Sequence, residues 1–93
     1  MNYIIILTYD IKDDFLRNEF SKFLLSYGRR LQYSVYEINN SKRILDLVKS
    51  QIKHNFEKRF TQGDSVLIFE VTKDDQILRF GYAKNEESDL VMY

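Results

Sequence analysis

The sequence contains no cysteine, and this absence limits the chemistry that the protein can perform. Disulfide bonds and thiolate metal sites are both excluded. The sequence has a single histidine, His54, which lies off the apolar positions of its predicted helix. We therefore expect His54 to be exposed rather than catalytic. The lack of cysteine is also compatible with a cytoplasmic location, which we expect for this protein.

Long apolar segments are missing as well. The longest, residues 3–7, is far shorter than the ~20 residues that a membrane-spanning helix needs. No positively charged segment precedes it, so it does not resemble a secretory signal peptide. We expect no association with a membrane.

Aromatic residues, in contrast, are plentiful, with seven Tyr and seven Phe among 93 residues. They supply the large side chains of a core, and the length fits one domain. A domain of this size buries only roughly 60–65% of its unfolded surface, so association with a second copy would stabilise it. We predict a single domain at residues 1–83 and an acidic C-terminal tail at residues 84–93.

The net charge is zero, but the charges are unevenly distributed. Residues 1–63 carry eleven Lys or Arg against seven Asp or Glu, a net charge of +4. Residues 64–93 carry three against seven, a net charge of −4. A basic region of this kind suits contact with nucleic acid. It also fits ordinary solvated faces, and the charges alone do not choose between the two.

Hydrophobic periodicity predicts that strands and helices alternate. The first strand is Tyr3–Asp10, with Ile4 and Ile6 on one face and Ile5 and Leu7 on the other. Because both faces are apolar, both must be covered. Further strands are predicted at Leu31–Ile38, Ser65–Val71 and Ile77–Ala83.

Two helices are predicted between these strands. The first is capped by Asp13 or Asp14 and runs to Tyr27, after which Gly28 supplies a left-handed stop. The second covers residues 42–56, and Ser41 is its candidate N-cap.

This order of elements predicts an α+β fold. If the region 30–38 contains a hairpin, the order is ferredoxin-like βαββαβ with an extra C-terminal strand. No Gly or Pro interrupts residues 31–38 to mark such a break. Both helices of that fold pack on one side of the sheet, so the face with Ile4 and Ile6 is bare in a single copy. We therefore predict a face-to-face homodimer.

Asp10 is the candidate chemical group, because it is a lone carboxylate at the carboxyl end of a buried strand. Asp13 and Asp14 can serve the start of the helix, which leaves Asp10 available for another role. Mg²⁺ takes one or two carboxylates together with phosphate oxygens and water, and a two-fold axis could bring two Asp10 side chains together. The alternative is that Asp10 is only an acidic residue of a turn.

Several short segments within residues 3–71 carry a family resemblance. They are Tyr9-Asp10, Arg17 in the following helix, Tyr27-Gly28, Arg30-Leu31-Gln32-x-Ser34-Val35-Tyr36-Glu37 and Asp64-Ser65-Val66. Together they resemble the Cas-two family of small CRISPR-associated adaptation proteins. The family usually has Phe where this chain has Tyr36, and the tail after residue 83 matches no pattern of the family.

The resemblance implies a ferredoxin-like homodimer that binds duplex DNA and bridges dimers of the Cas-one integrase during spacer acquisition. It also implies a magnesium-dependent endonuclease acting on RNA or DNA, with Asp10 as its catalytic and metal-binding carboxylate. In this family the terminal strand, here Ile77–Ala83, often joins the partner's sheet. The residues that we expect to bind nucleic acid, duplex DNA or single-stranded RNA, are Arg17, Arg29, Arg30, Gln32 and Ser34.

Other interpretations stay open. Gln32 and Ser34 could hydrogen-bond the strand backbone, and Arg17 and Arg30 could be ordinary surface residues. Whether the chain is an enzyme is also open, although we lean towards a nuclease. The alternative function is a toxin-like metal-dependent ribonuclease of similar fold.

Overall fold

The computed structural model describes residues 3–72 together with residues 78, 80 and 81. Most of the predicted strand Ile77–Ala83 and all of the predicted tail lie outside the described residues, so the division at residue 83 stays a prediction. Within the described ranges, none of the helices has the length and apolar character needed to cross a membrane.

Four strands and two helices follow one another in the order βαββαβ. They are β1 (Tyr3–Asp10), α1 (Asp14–Leu25), β2 (Gly28–Gln32), β3 (Val35–Ile38), α2 (Lys42–Gln51) and β4 (Ser65–Thr72). The strands form a four-stranded sheet in the order β2-β3-β1-β4, and every neighbouring pair is antiparallel. The α+β class and the ferredoxin-like order are therefore confirmed.

The hairpin lies inside the segment Leu31–Ile38. The prediction that this segment is one continuous strand is therefore wrong. The chain reverses at Tyr33 and Ser34, and the pairing of β2 with β3 shifts register between Arg30 and Gln32. The backbone N–H of Tyr9 donates a hydrogen bond to the carbonyl oxygen of Ser34 at 3.1 Å. The end of β1 thus holds the turn through a contact between residues far apart in sequence, which local turn signals do not reveal.

Gly28 is not the left-handed helix stop that the sequence predicts. Positive φ angles occur at Gly63 and Gly81 but not at Gly28, among the described glycines. Gly28 instead begins β2, where a Cβ atom would lie 2.1 Å from the carbonyl oxygen of Glu37. The close approach of β2 to β3 is what requires glycine at this position.

Both predicted helix caps are confirmed. The side chain of Asp13 accepts a hydrogen bond from the N–H of Leu16 at 2.8 Å. The hydroxyl of Ser41 accepts one from the N–H of Ile44 at 3.4 Å. Each cap satisfies a backbone donor that the first helical turn leaves unpaired.

The chain stays helical after α2, but with a different hydrogen-bonding pattern. Residues 52–56 form a π-helical turn and residues 57–59 a 3₁₀ turn. Phe56 at the end of the π turn is buried, with its ring centroid 4.8 Å from that of Phe20 in α1. Arg59 then pairs with Glu19, with Nη2 and Oε1 2.5 Å apart. This continuation therefore ties the second helix to the first.

The core lies between the helices and one face of the sheet. Strand residues alternate between the faces, so every second side chain of β1 and β3 enters this core. Its buried members are Ile5, Leu7, Tyr9, Ile11, Leu16, Phe20, Leu24, Tyr36, Ile38, Leu45, Val48 and Phe56.

The opposite face of the sheet, which we call the open face, carries Ile4, Ile6, Leu67 and Phe69. Ile6 is paired with Phe69 across β1 and β4, and Leu67 and Phe69 remain 56% and 49% exposed. The helices of the described chain cover only the other face, as expected. The homodimer that would cover the open face stays a prediction.

Candidate functional site

A cleft of about 500 Å³ opens at the carboxyl end of β1, beside α1 and the β2–β3 turn. Four of the six predicted site residues line it: Asp10, Arg17, Arg30 and Ser34. The other lining residues are Tyr9, Ile11, Asn18, Ser21 and Tyr33. The fold thus brings together residues from two strands, a helix and a turn.

Asp10 is exposed at the edge of this cleft. It is paired with Ser65 in the β1–β4 ladder, and the alternation of β1 places it on the same face as Ile4 and Ile6. No cluster of three or more His, Cys, Asp or Glu that could hold a metal occurs among the residues described. Of the described residues that line the cleft, Asp10 alone is a carboxylate.

Arg17 hydrogen-bonds to the linker between β1 and α1, residues 11–13, which follows Asp10. Its Nη1 donates to the carbonyl oxygen of Ile11 at 3.1 Å and to that of Lys12 at 3.3 Å, and its Nη2 pairs with Asp14. These contacts fix the path of the chain between β1 and α1. In this structure Arg17 positions Asp10 and lines the cleft at the same time.

Asp64 holds the same linker from the other side. Its carboxylate accepts hydrogen bonds from the N–H of Thr61 at 2.8 Å, from the hydroxyl of Thr61 at 3.1 Å and from the N–H of Lys12 at 3.0 Å. These bonds, the one from the N–H of Thr61 above all, lower the pKa of Asp64 below its usual value. The sequence suggested only that Asp64 opens a strand.

A buried polar cluster forms the inner wall of the cleft. Tyr36 is 0% exposed, and its hydroxyl oxygen lies 2.6 Å from Oγ of Ser21. Arg30 donates to the Tyr36 hydroxyl from Nε at 3.0 Å and from Nη2 at 2.8 Å. Nη2 also donates to Oγ of Ser21 at 2.6 Å. We call Ser21, Arg30 and Tyr36 the hydroxyl cluster, and it joins α1, β2 and β3.

Tyr9 packs against this cluster from β1. Its ring centroid lies 5.9 Å from that of Tyr36 and 5.2 Å from that of Phe20. Burial, and after it the hydrogen bond with Tyr36, raise the pKa of Tyr9 to about 12. The Tyr9 hydroxyl therefore keeps its proton at neutral pH and does not act as a base.

Arg30 is the cationic group of the inner wall. The hydrogen bonds that it donates to Ser21 and Tyr36 go to neutral oxygens, so these bonds orient its guanidinium without cancelling its charge. An oriented guanidinium is well suited to a phosphate group. Its place in the cleft agrees with the predicted contact to nucleic acid, which stays a prediction.

Arg29 and Gln32 are not brought to the cleft. Arg29 faces away from the helices and pairs with Glu37, with Nη2 and Oε1 3.2 Å apart. Gln32 is paired with Val35 beside the turn. Arg29 lies outside the lining because neighbouring strand positions point to opposite faces. Gln32 is two positions from Arg30, but the register shift between them places it opposite Val35, which pairs with Thr8 on the open face.

Sequence reasoning missed Ser21, although a signal for it exists. Ser21 follows Arg17 by four residues, so both lie on one side of α1. Asn18 and Tyr33 gave no comparable signal, because their place in the cleft depends on how α1 and the turn meet.

The comparisons with known proteins agree with this architecture. The family model described as CRISPR associated protein Cas2 matches residues 1–77. The chain belongs to the Cas2 family. This is the Cas-two family that the sequence motifs resemble, and membership supports a CRISPR-associated role.

One relative carries a related description. The CRISPR-associated endoribonuclease Cas2 3 of Synechocystis is 31% identical over 55 residues, which is 59% of this chain and 60% of that protein. The match thus spans about three fifths of the length of this relative.

Solved structures share the fold. A structure described as cas2 has a TM-score of 0.71 at 26% identity and covers 96% of this chain and 98% of its own. A hypothetical protein from Thermus thermophilus has a TM-score of 0.71 at 28% identity, covering 86% and 92%. Streptococcus pyogenes Cas2 has a TM-score of 0.63 at 20% identity, covering 76% and 88%, which shows the fold alone.

The bonds of Asp64 predict how the stability of this Cas2 protein depends on pH. Because the folded protein lowers the pKa of Asp64, the carboxylate stabilises the fold above the unfolded pKa, near 4. That contribution is lost as the pH falls through the lower pKa of the folded state. We expect Asp64→Asn to lower the urea midpoint at pH 7 and to lower it less at pH 3.

The matched control is Asp46→Asn, which removes an exposed carboxylate whose ion pair with Lys42 lies on the surface of α2. Such pairs contribute little, so we expect a small change at both pH values. If Asp64→Asn lowers the urea midpoint by the same amount at pH 7 and at pH 3, that result would contradict the role given to the Asp64 carboxylate.

Proposed function

We propose that this protein is the homodimeric adaptation subunit of a CRISPR system, which binds duplex DNA and bridges Cas-one integrase dimers during spacer acquisition. We expect it to act in the cytoplasm. The observation that carries the proposal is the apolar open face of a Cas2-family sheet, opposite both helices.

A second copy of the chain is the occupant that best suits the open face. Ile4, Ile6, Leu67 and Phe69 form a patch along two adjacent strands, and a two-fold axis would place that patch against itself. Small domains gain stability from such burial, and exposed patches of this kind commonly mark interfaces. Two copies joined in this way present two identical ends, which suits a subunit that bridges two partners.

The second helical segment offers the charges for DNA. Its basic side chains are exposed and lie off the apolar stripe: Lys42, Arg43, Lys49, Lys53 and Lys58. Cations in this arrangement contact phosphates without reading sequence, so binding should weaken steeply as salt increases.

The direct test combines oligomeric state and assembly. We expect light scattering to give a dimer for the wild type and, with Cas-one integrase and duplex DNA, a complex containing one such dimer and two Cas-one dimers. Phe69→Glu places a charge on the open face and should yield monomers that no longer support the complex.

Phe15→Glu is the matched control, because Phe15 is an exposed phenylalanine on α1. It should leave the dimer intact. A wild-type protein that is a folded monomer at micromolar concentration, or that binds neither duplex DNA nor the integrase at low salt, overturns the proposal. Ribonuclease activity without a complex would favour the toxin-like alternative.

A second function, metal-dependent cleavage of RNA or DNA, is favoured by the position of Asp10. The residue is exposed, lies on the open face and borders a cleft that contains Arg30. One carboxylate per chain is few for Mg²⁺, but this ion accepts water and phosphate oxygens as remaining ligands, and a facing copy would add a second Asp10. When bound, Mg²⁺ would polarise the phosphate and activate water. The Synechocystis relative is itself described as an endoribonuclease.

Asp10→Asn tests this second function. The substitution keeps the shape of an exposed side chain, so we expect the fold to survive. Mg²⁺-dependent cleavage should fall at least about 10-fold, because even residues that only orient a metal ligand have effects of about 10- to 100-fold. Cleavage of labelled RNA and duplex DNA is measured with MgCl₂ and with EDTA, and Asp46→Asn is the control. Cleavage that persists in Asp10→Asn removes Asp10 from the chemistry.

A further inference from the structure

A groove separate from the cleft lies between the second helical segment, residues 42–59, and the strand β4. We call it the side groove. Its volume is about 260 Å³, and its lining residues are Lys49, Ile52, Lys53, Glu57, Val66 and Ile68. Among the described strands, β4 stands at one end of the sheet and pairs only with β1. The side groove therefore follows an edge of the sheet.

The floor of the side groove is apolar and incompletely covered. Ile52, Val66 and Ile68 pack against the core but are only half-buried. Earlier in the same helical segment, Leu45 and Val48 are 4% and 0% exposed. Removing apolar surface from water is favourable in proportion to its area. An apolar segment laid on this floor would therefore complete the core at the β4 edge.

The rim of the side groove is basic. Lys49 and Lys53 are exposed and four residues apart, so they lie on one side of the helical segment. Glu57 also lines the groove, but it follows Lys53 by four residues, so the positive charge is concentrated at the end near Lys49. A segment that combines acidic and apolar side chains complements a basic rim and an apolar floor.

The predicted tail, residues 84–93, has this composition. Its acidic residues come first and its apolar residues follow: Glu86, Glu87 and Asp89, then Leu90, Val91 and Met92. Residue 84 comes twelve positions after Thr72, where β4 ends, and twelve residues reach about 40 Å when extended. A return along the whole of β4 needs only about 26 Å. The tail is thus long enough to reach Val66 and Ile68.

We propose that the tail docks in the side groove, with its acidic residues beside Lys49 and Lys53 and its apolar residues on the floor. The docked tail covers two of the five basic side chains that we assign to duplex DNA. Tail and duplex therefore compete for these lysines. The competition rests on the proposed binding of DNA, whereas the docking does not.

Paramagnetic NMR on the full chain tests the docking without DNA. Because the sequence has no cysteine, Ser88→Cys gives a single attachment point for a nitroxide label in the tail. Amide signals near the label lose intensity relative to the same protein with the label reduced. We expect losses at Ile52, Lys53 and Val66, on both walls of the side groove. Arg29 in β2, at the other edge of the sheet, should keep its intensity.

Charge variants of the labelled protein identify the contact. Reversing both lysines, Lys49→Glu with Lys53→Glu, should restore the groove signals, because like charges then face each other. Adding Glu86→Lys and Glu87→Lys to that variant should bring the losses back. The matched control is Arg43→Glu, which reverses an exposed charge of α2 outside the groove lining and should leave the losses as in the wild type.

Adding a blunt DNA duplex at low salt tests the competition. We expect the duplex to displace the tail and restore the signals of Ile52 and Lys53. A duplex that binds while these signals stay weakened overturns the competition. A duplex that does not bind overturns the proposed function and leaves the docking in place.

Two results overturn the docking itself. The first is a loss of intensity along β4 without any loss at Ile52 and Lys53, which would assign the tail to the open face. The second is a charge pattern without specificity, in which Arg43→Glu restores the groove signals as well as the paired lysine variant does.

Discussion

The ring of Tyr36, fully buried and packed on Tyr9, is the point on which the rest of the structure depends. In this chain the ring carries a hydroxyl that the Phe usual in the family lacks, and this hydroxyl adds a polar connection at the inner wall of the cleft. The hydroxyl lies where α1, β2 and β3 meet, and it receives hydrogen bonds from Arg30 while lying 2.6 Å from Ser21. A buried hydroxyl without partners is costly, so this arrangement is stable only when the hairpin and the helix are correctly placed. The hydroxyl cluster therefore specifies one packing of these three elements.

The candidate site follows from that packing. Tyr9 packs its ring on Tyr36 and bonds the turn with its backbone, which fixes the end of β1. The next residue, Asp10, lies at the mouth of the cleft. The linker that follows it, between β1 and α1, is hydrogen-bonded to Arg17 on one side and to Asp64 on the other. One set of contacts thus places both the carboxylate on the open face and the guanidinium on the inner wall of the cleft.

Local patterns in the sequence predicted the parts of this account that depend on neighbouring residues. The strand β1 and the cap Ser41 depend on short-range periodicity and hydrogen bonding, and both were found as expected. The turn at Tyr33 contains no Gly or Pro and is fixed by a bond from β1, so periodicity extended the strand through it. Likewise, Asp64 reaches Lys12 across 52 residues, a contact that no local pattern encodes.

Amide hydrogen exchange in Tyr36→Phe tests the connection made by the hydroxyl most directly, because the substitution removes one oxygen and keeps the ring. The N–H of Tyr9, which donates to the turn, is compared with the N–H of Leu45 in α2, which donates to the carbonyl oxygen of the N-cap Ser41 at 2.8 Å. Loss of the buried bonds should cost about 1–3 kcal/mol locally and speed exchange at Tyr9 at least about 5-fold, with Leu45 unchanged. Unchanged exchange at Tyr9, or equal acceleration at both amides, would contradict the account.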